Sequence, residues 1–380
     1  MDILRNKEIS FIKNRFKDMP IVGILGPRQC GKTTLAKQFL SQLKSKNVHF
    51  FDLEDPNDFS ALSVSMAALK DLSGYVIIDE IQRMPEIFSV LRVLADKKKN
   101  TKYLILGSAS PYLLKNTSET LAGRVSYLNM GGFSLEHIKK NEIKKLWIKG
   151  GFPRSFLARN EAASFNWRQD FISTFLERDI PALGFKIPAH TLRRFWMMLA
   201  HYHGQIFNAS ELAKNLGVSD HTVRKYLDIL TQTFLIRQVY PWFNNTKKRL
   251  VKSPKIFFRD TGILHALLQL KDHKSILIHP KLGASWEGFA LEQFILSKKF
   301  KDEEIFFWAA HQGAEIDLVY VENGKMKGVE VKYTDNPKMT KSINIAIEEL
   351  DLSEVKILYP GDKSFKLDSK VSAVSFFDFI

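Results

Sequence analysis

Nine residues near the N-terminus, GPRQCGKTT at positions 26–34, carry the first legible chemistry. Gly26, Gly31, Lys32 and Thr33 satisfy the spacing G-x-x-x-x-G-K-[ST], in which a glycine-rich turn curls its N–H groups around phosphates. Pro27, Arg28, Gln29 and Cys30 fill the loop between the glycines, and Thr34 follows it. The spacing predicts that Lys32 reaches the β and γ phosphates of ATP and that Thr33 ligates Mg²⁺. Further on, YVIIDE (75–80) ends an apolar run in two carboxylates. Asp79 is expected to hold the Mg²⁺ through water, and Glu80 to orient and deprotonate the attacking water. The run KYLILGSAS (102–110) ends in Ser108 to Ser110, which read either as sensors of the γ phosphate or as plain loop serines. Arg124, in LAGR (121–124), reads either as a solvated charge or as an arginine finger. A finger would be offered to a neighbouring subunit and would make the chain a homo-oligomer.

A second cluster of charge lies near the other end of the chain. AEIDLVYVE (314–322) and MKGVEVKYT (326–334) read as strands flanking Asn323-Gly324, the pair that favours a two-residue type I′ hairpin turn. Such a turn fixes the register. Glu322 then faces Lys325, Asp317 faces Glu330, and Glu315 faces Lys332, all four of the latter on one side of the sheet. Facing carboxylates repel one another unless a cation neutralises them. Hard oxygen ligands suit Mg²⁺. Lys332 is placed to activate a water or to stabilise charge developing on a phosphate.

These groups must be carried by regular elements. IVGIL (21–25) reads as a buried strand leading into the glycine loop, and TLAKQFLSQLK as the helix whose positive end faces the phosphates. KIFFRDTGILHALL (255–268) opens the last region, and GASWEGFALEQFILSKKF (283–300) reads as a helix before the hairpin. In the middle, LWIKGGFPRSFL and FNWRQDFISTFLERDIPALGF read as helices broken by Gly150-Gly151 and Pro181, and the charges Arg178 and Asp179 there receive no chemical role. NASELAKNLGVSDHTVRKYLDILTQ then has helix-turn-helix form. A short helix begins at Ser210, Gly217 makes the turn, and Ser219 caps a second helix whose apolar face is Val223, Leu227 and Leu230. FLIRQVYP follows as the strand of a wing. If this module binds DNA, His221, Thr222, Arg224 and Lys225 are its exposed readers. The competing reading is a protein-packing unit. NTKKRLVKSPK (245–255) reads as a phosphate-contacting segment or as a solvated loop.

The 380 residues include 56 Lys and Arg against 41 Asp and Glu, a net charge of +15, which favours polyanionic partners, DNA in particular. No apolar run approaches the roughly 18 residues of a membrane span, and the charged N-terminus lacks a signal-peptide core. One cysteine excludes an intrachain disulfide framework and fits a reducing cytoplasm.

GPRQCGKTT, FDLEDP, YVIIDEIQRMPE, LGSAS, LAGRV, GGFP, LERDI, NASELAKNLGVS, FFRDTGI and GAEIDLV…GVEVKY occur in this order along nearly the whole chain. In this the chain resembles the prokaryotic AAA-superfamily ATPases that carry a C-terminal domain of unknown function with a nuclease-like fold. Lys32, Thr33, Asp79 and Glu80 match the nucleotide motifs. Asp317, Glu330 and Lys332 form D-x12-E-x-K, which resembles the active-site signature of the PD-(D/E)xK nucleases. Glu287, in GASWEGF, matches the extra helix carboxylate of that superfamily. The implied metal ligands are Thr33 and Asp79 at one end and Glu287, Asp317 and Glu330 at the other.

The expected architecture is α/β. A P-loop AAA-type domain covers 1–145, a helical linker or lid 146–190, a winged-helix segment 191–250 and a restriction-endonuclease-like domain 251–380. Three functions fit. One is an ATPase that acts on nucleic acid and cleaves it with the C-terminal carboxylates. Another is an ATP-driven switch or regulatory binding module with an inactive nuclease-like domain. A third is a protein-remodelling ring ATPase.

Overall fold

The computed structural model describes residues 3–43, 47–97, 100–109, 121–242, 253–310 and 313–378. Five strands build the first sheet: β1 (Ile21–Leu25), β2 (Val48–Asp52), β3 (Gly74–Asp79), β4 (Thr101–Gly107) and β5 (Val125–Asn129). All neighbours run parallel, in the order β2-β3-β4-β1-β5. Parallel pairing requires crossovers, and helices such as Asn6–Asp18, Lys32–Ser41 and Ile87–Lys97 cover the sheet. This explains why IVGIL is apolar at every position: β1 is buried throughout. β4 lies between β1 and β3, so the glycine loop and the Asp79-Glu80 pair leave the same edge of the sheet one strand apart.

The middle region is helical, with Ile143–Lys149, Glu161–Thr174 and Ala189–His201. A π turn at Phe175–Asp179 ends the second of these before Pro181. Then come β6 (Gln205–Ile206), helices Ala209–Leu216 and Asp220–Gln232, β7 (Ile236–Pro241) and β8 (Lys255–Phe258). Gly217 closes the first of these helices at φ 69°, and Ser219 caps the second by accepting the Thr222 N–H at 3.2 Å. The first helix starts at Ala209, one residue before the expected Ser210, and Asn208 caps it. Most of the basic stretch 245–255 lies outside the described residues.

The last region contains helix Leu282–Lys298, β9 (Ile305–Ala309), β10 (Glu315–Glu322), β11 (Lys325–Val331), helix Lys341–Leu350, β12 (Glu354–Tyr359), β13 (Phe365–Lys366) and β14 (Val371–Ser375). Asn323 and Gly324 both have positive φ, 54° and 72°, as a type I′ turn demands. The register follows: Glu322 pairs with Lys325, and the ladder runs to Leu318 and Val329.

The boundary expected at 250/251 falls inside one hairpin. β8 pairs with β7 and β6, and β7 continues into the last region by pairing Tyr240 and Pro241 with Phe306 and Phe307 of β9. Nine strands thus form one sheet. Joining β7 to β9 covers a strand edge that would otherwise present unpaired main chain.

Candidate functional site

The glycine loop is shaped by close backbone approach. A Cβ on Gly26 would stand 1.9 Å from the Met130 carbonyl, and Gly31 has φ 100° at the N-terminus of helix Lys32–Ser41. Arg5, outside every motif, is buried and donates to the carbonyls of Cys30 and Gly131 at 3.1 and 3.3 Å, bracing the loop from beneath. The Cys30 thiol is buried. The Lys32 ammonium donates to the Gly26 and Pro27 carbonyls at 3.0 Å each. A cleft of about 490 Å³ opens over the loop, lined by residues including Arg28, Gln29, Thr34 and Glu80. A glycine turn, a helix N-terminus and a lysine facing one cleft fit a nucleotide triphosphate.

Thr33 Oγ donates to Asp79 Oδ2 at 2.6 Å, so the two expected Mg²⁺ residues meet. Two hard oxygens at the mouth of a phosphate cleft fit that ion. Burial pushes the Asp79 carboxyl up to about 6, from an ordinary value near 3.9. Because folding favours its proton, the Asp79 contribution to stability declines as pH rises from about 4 to about 6. Cation binding has the opposite preference, since it takes the carboxylate. If Asp79 takes part in Mg-ATP binding, the affinity should therefore fall below pH 6 and binding should release a proton. Calorimetry in buffers of different ionisation enthalpy checks this: proton release is expected near pH 5.5 and fades near pH 7.5. Equal release at both would remove Asp79 as its source.

Glu80 holds a left-handed backbone, φ 53°, unusual for a side chain of this size. Its Oε2 accepts from Gln82 Nε2 and, at 3.2 Å, from Ser108 Oγ. Gln82 also donates to Ser108 Oγ at 2.7 Å. Ser108 therefore stands against Glu80; Ser110 lies outside the described residues. Arg28 leaves the loop sideways and hydrogen-bonds Asp179 and Glu54, with Glu80 Oε2 at 3.7 Å. Asp179, assigned no chemistry from sequence, thus ties the helical region to the phosphate loop. No local pattern could reveal this, because the partners are 151 residues apart. Arg124 pairs with Asp96 at 2.7 and 2.9 Å. Its carbonyl accepts the Ile21 N–H, which places it at the end of β1 opposite the loop, beside no nucleotide of its own chain.

In the second cluster the β10–β11 ladder stops at Leu318 and Val329, so the expected pairs Asp317–Glu330 and Glu315–Lys332 lie beyond it, although all four residues come together. A register shift in the β9–β10 pairing between Ile316 and Val319 surrounds Asp317, and its Oδ2 accepts the Val331 N–H at 2.8 Å. Lys332 pairs with Glu330 Oε1 at 2.6 Å, not with Glu315 as the register had implied. Glu315 turns instead to Lys255, at 3.4 Å. Lys255 sits on β8, 3% exposed, with Asp317 at 3.7 Å and Glu287 at 4.0 Å. Burial and the Asp317 charge raise the Glu287 carboxyl well above its usual range and Glu330 to about 7. Burial also raises Asp317. Burial pulls the Lys255 ammonium down, but Asp317, Glu287 and Glu315 outweigh it and raise its pKa.

Glu287, Asp317 and Glu330 were expected to ligate a metal, and their hard oxygens are of the right kind. Among the described residues, however, no three His, Cys, Asp or Glu side chains converge as a metal site. Lys255 instead brings its ammonium within 4.0 Å of both Glu287 and Asp317. The cluster as folded does not fit a divalent ion held by Glu287 and Asp317 together.

Residues 18–139 match the model of the AAA domain family. Residues 140–274 and 282–379 match two domains of unknown function, DUF8612 and DUF4143. Uncharacterized proteins of Mycobacterium tuberculosis and Mycobacterium bovis are each 44% identical over 375 residues, which is 98% of this chain and 84% of theirs. One from Haemophilus influenzae is 27% identical over 283 residues, 66% of this chain and 70% of its own. Among solved structures, a Walker-type ATPase of Pyrococcus abyssi superposes with a TM-score of 0.48 at 14% identity, covering 70% of this chain and 96% of that one. The RuvB Holliday junction branch migration motor of Thermotoga maritima superposes with a TM-score of 0.32 at 18% identity, covering 62% and 88%.

Proposed function

The chain belongs to the family of these mycobacterial proteins, an AAA domain followed by two domains of unknown function, and from that premise we propose that it is a Mg²⁺-dependent ATPase acting with nucleic acid. The observation that carries the ATPase is the convergence of Lys32, Thr33, Asp79 and Glu80 at one sheet edge, with Thr33 and Asp79 in direct contact. Backbone N–H groups of the loop and Lys32 bind the phosphates, and Lys32 exchanges its two loop carbonyls for phosphate oxygens. Thr33 and Asp79 would hold Mg²⁺, which when bound neutralises charge on the β and γ phosphate oxygens. Glu80 orients water and takes its proton, and this requires Arg28, Gln82 and Ser108 to share or release its oxygens. Arg124, at the far end of β1, would serve only a neighbouring copy.

The order helix, short strand, two helices and hairpin supports a winged helix over 189–258. His221, Arg224 and Lys225 are exposed on the helix capped by Ser219, with Thr222 half-buried, as a groove-reading helix requires. The order helix 282–298, β9, β10, β11, helix 341–350, β12 supports a nuclease-like C-terminal domain. Lys255 favours the second reading of that domain, a binding platform without cleavage.

Two measurements test this. The logarithm of nucleic-acid affinity should fall linearly with log salt, and the Arg224→Ala/Lys225→Ala variant should lower the slope by about 2, or about 1 per lost phosphate contact. A salt-independent affinity would remove the polyanion. In a cleavage assay on duplex and single-stranded DNA with Mg²⁺ or Mn²⁺, with and without ATP, the platform reading expects no product from protein shown to hydrolyse ATP. Metal-dependent product from wild type and none from Lys332→Ala would restore the nuclease.

A further inference from the structure

The cation of the C-terminal carboxylate cluster belongs to the protein itself. Lys255 is the first residue of β8, whose pairing with β6 and β7 fixes where its side chain emerges. The stem passes over the Phe307 ring, 5.5 Å from its centroid to Nζ. The ammonium then lies among three carboxylates, two from β10 and one from helix Leu282–Lys298: Glu315 Oε2 at 3.4 Å, Asp317 Oδ1 at 3.7 Å and Glu287 Oε1 at 4.0 Å. Two buried oxygens of the cluster, Glu287 Oε1 and Glu330 Oε2, have no hydrogen-bond partner. Oxygens spaced 3.4–4.0 Å around Nζ are farther out than the roughly 2.1 Å of Mg²⁺ ligands. Mg²⁺ drawn that close to both Asp317 and Glu287 would meet the ammonium head-on in a buried space.

We infer that Lys255 is the resident cation of this cluster, standing where a divalent metal would bridge Glu287 and Asp317, so that ammonium and metal exclude one another there. The inference rests on reading this domain as nuclease-like. It deepens that reading: the site is completed by a residue of the preceding hairpin, outside D-x12-E-x-K. The C-terminal cluster is then held together without metal, and any movement of β8 relative to β10 changes the charge the carboxylates feel.

The test reads metal binding and not cleavage. Mn²⁺ binding to the nucleotide-free full chain is followed by electron paramagnetic resonance for wild type, Lys255→Met and Lys255→Arg, each with and without Asp317→Asn. Methionine keeps the stem and removes the charge. The expected result is that Lys255→Met binds Mn²⁺ about tenfold or more tighter than wild type, since a unit charge within ~4 Å has been removed. The gain should vanish with Asp317→Asn, and Lys255→Arg should behave as wild type. An affinity for Mn²⁺ unchanged or weakened in Lys255→Met overturns the inference. Should Lys255→Met fail to fold even with Mn²⁺, wild type decides: Mn²⁺ binding that depends on Asp317 while Lys255 is intact overturns it, and its absence, up to Mn²⁺ concentrations saturating for an exposed carboxylate pair, upholds it. A Lys255→Met protein that binds Mn²⁺ yet cleaves nothing upholds the inference and removes only the nuclease.

Discussion

Glu80→Gln lowers the rate of ATP hydrolysis by about 10²–10⁴, the usual range for losing a positioned general base, and changes nucleotide affinity only a few-fold. The amide keeps the shape of the side chain and its contacts with Gln82 and Ser108, and loses the ability to take a proton. The loop, Lys32 and the Thr33–Asp79 pair are untouched. Single-turnover hydrolysis at saturating Mg-ATP, with nucleotide binding measured separately, checks the split. A dissociation constant rising in step with the rate loss would make Glu80 a binding residue and return the base to another group. The left-handed backbone at Glu80 sharpens the expectation. Strained conformations persist where the surrounding structure over-determines them, and here the constraint turns the carboxylate toward Ser108 and the cleft.

Glu292→Gln destabilises the protein by about 3–5 kcal/mol, the scale for breaking a buried ion pair. Arg237, 2% exposed, donates to Glu292 Oε2 at 2.7 Å and to Oε1 at 3.0 Å, and Arg259 donates to Oε1 at 3.2 Å. Burial works to raise the Glu292 carboxyl, but the two guanidiniums outweigh it and hold it below its ordinary value. The neutral amide leaves both guanidiniums short of a buried counter-charge; Arg237 retains only the half-exposed Asp302. Urea unfolding followed by fluorescence of the C-terminal tryptophans measures the loss. A change below about 1 kcal/mol would mean that water or Asp302 replaces the lost charge. The effect should extend beyond helix 282–298, because Arg237 is on β7, which joins the two halves of the nine-stranded sheet.

Much of this was legible in the chain itself. The phosphate loop, its flanking strand and helix, and the acidic end of β3 follow from spacing and apolar run length, which are local properties. The hairpin register followed from Asn323-Gly324 alone, because a two-residue turn leaves no freedom in pairing. The caps at Gly217 and Ser219 followed because a left-handed C-cap and an N-cap hydrogen bond involve only neighbouring residues. Three things did not follow. Arg28, inside the loop motif, spends its charge on Asp179 and Glu54. Arg5 braces the loop from outside it. Lys255, read as the end of a basic stretch, is buried among carboxylates more than 30 residues away in the sequence.

The sequence by itself determined which candidate groups are present and which elements hold them, because motifs and turns act over a few residues. Only the tertiary structure decided how those groups are neutralised. A charge finds its counter-charge by distance in space, burial makes the pairing obligatory, and neither distance nor burial is encoded in spacing along the chain. That is why the phosphate-loop residues stand where the motif places them, while the C-terminal carboxylates gather around a lysine that the motif does not contain.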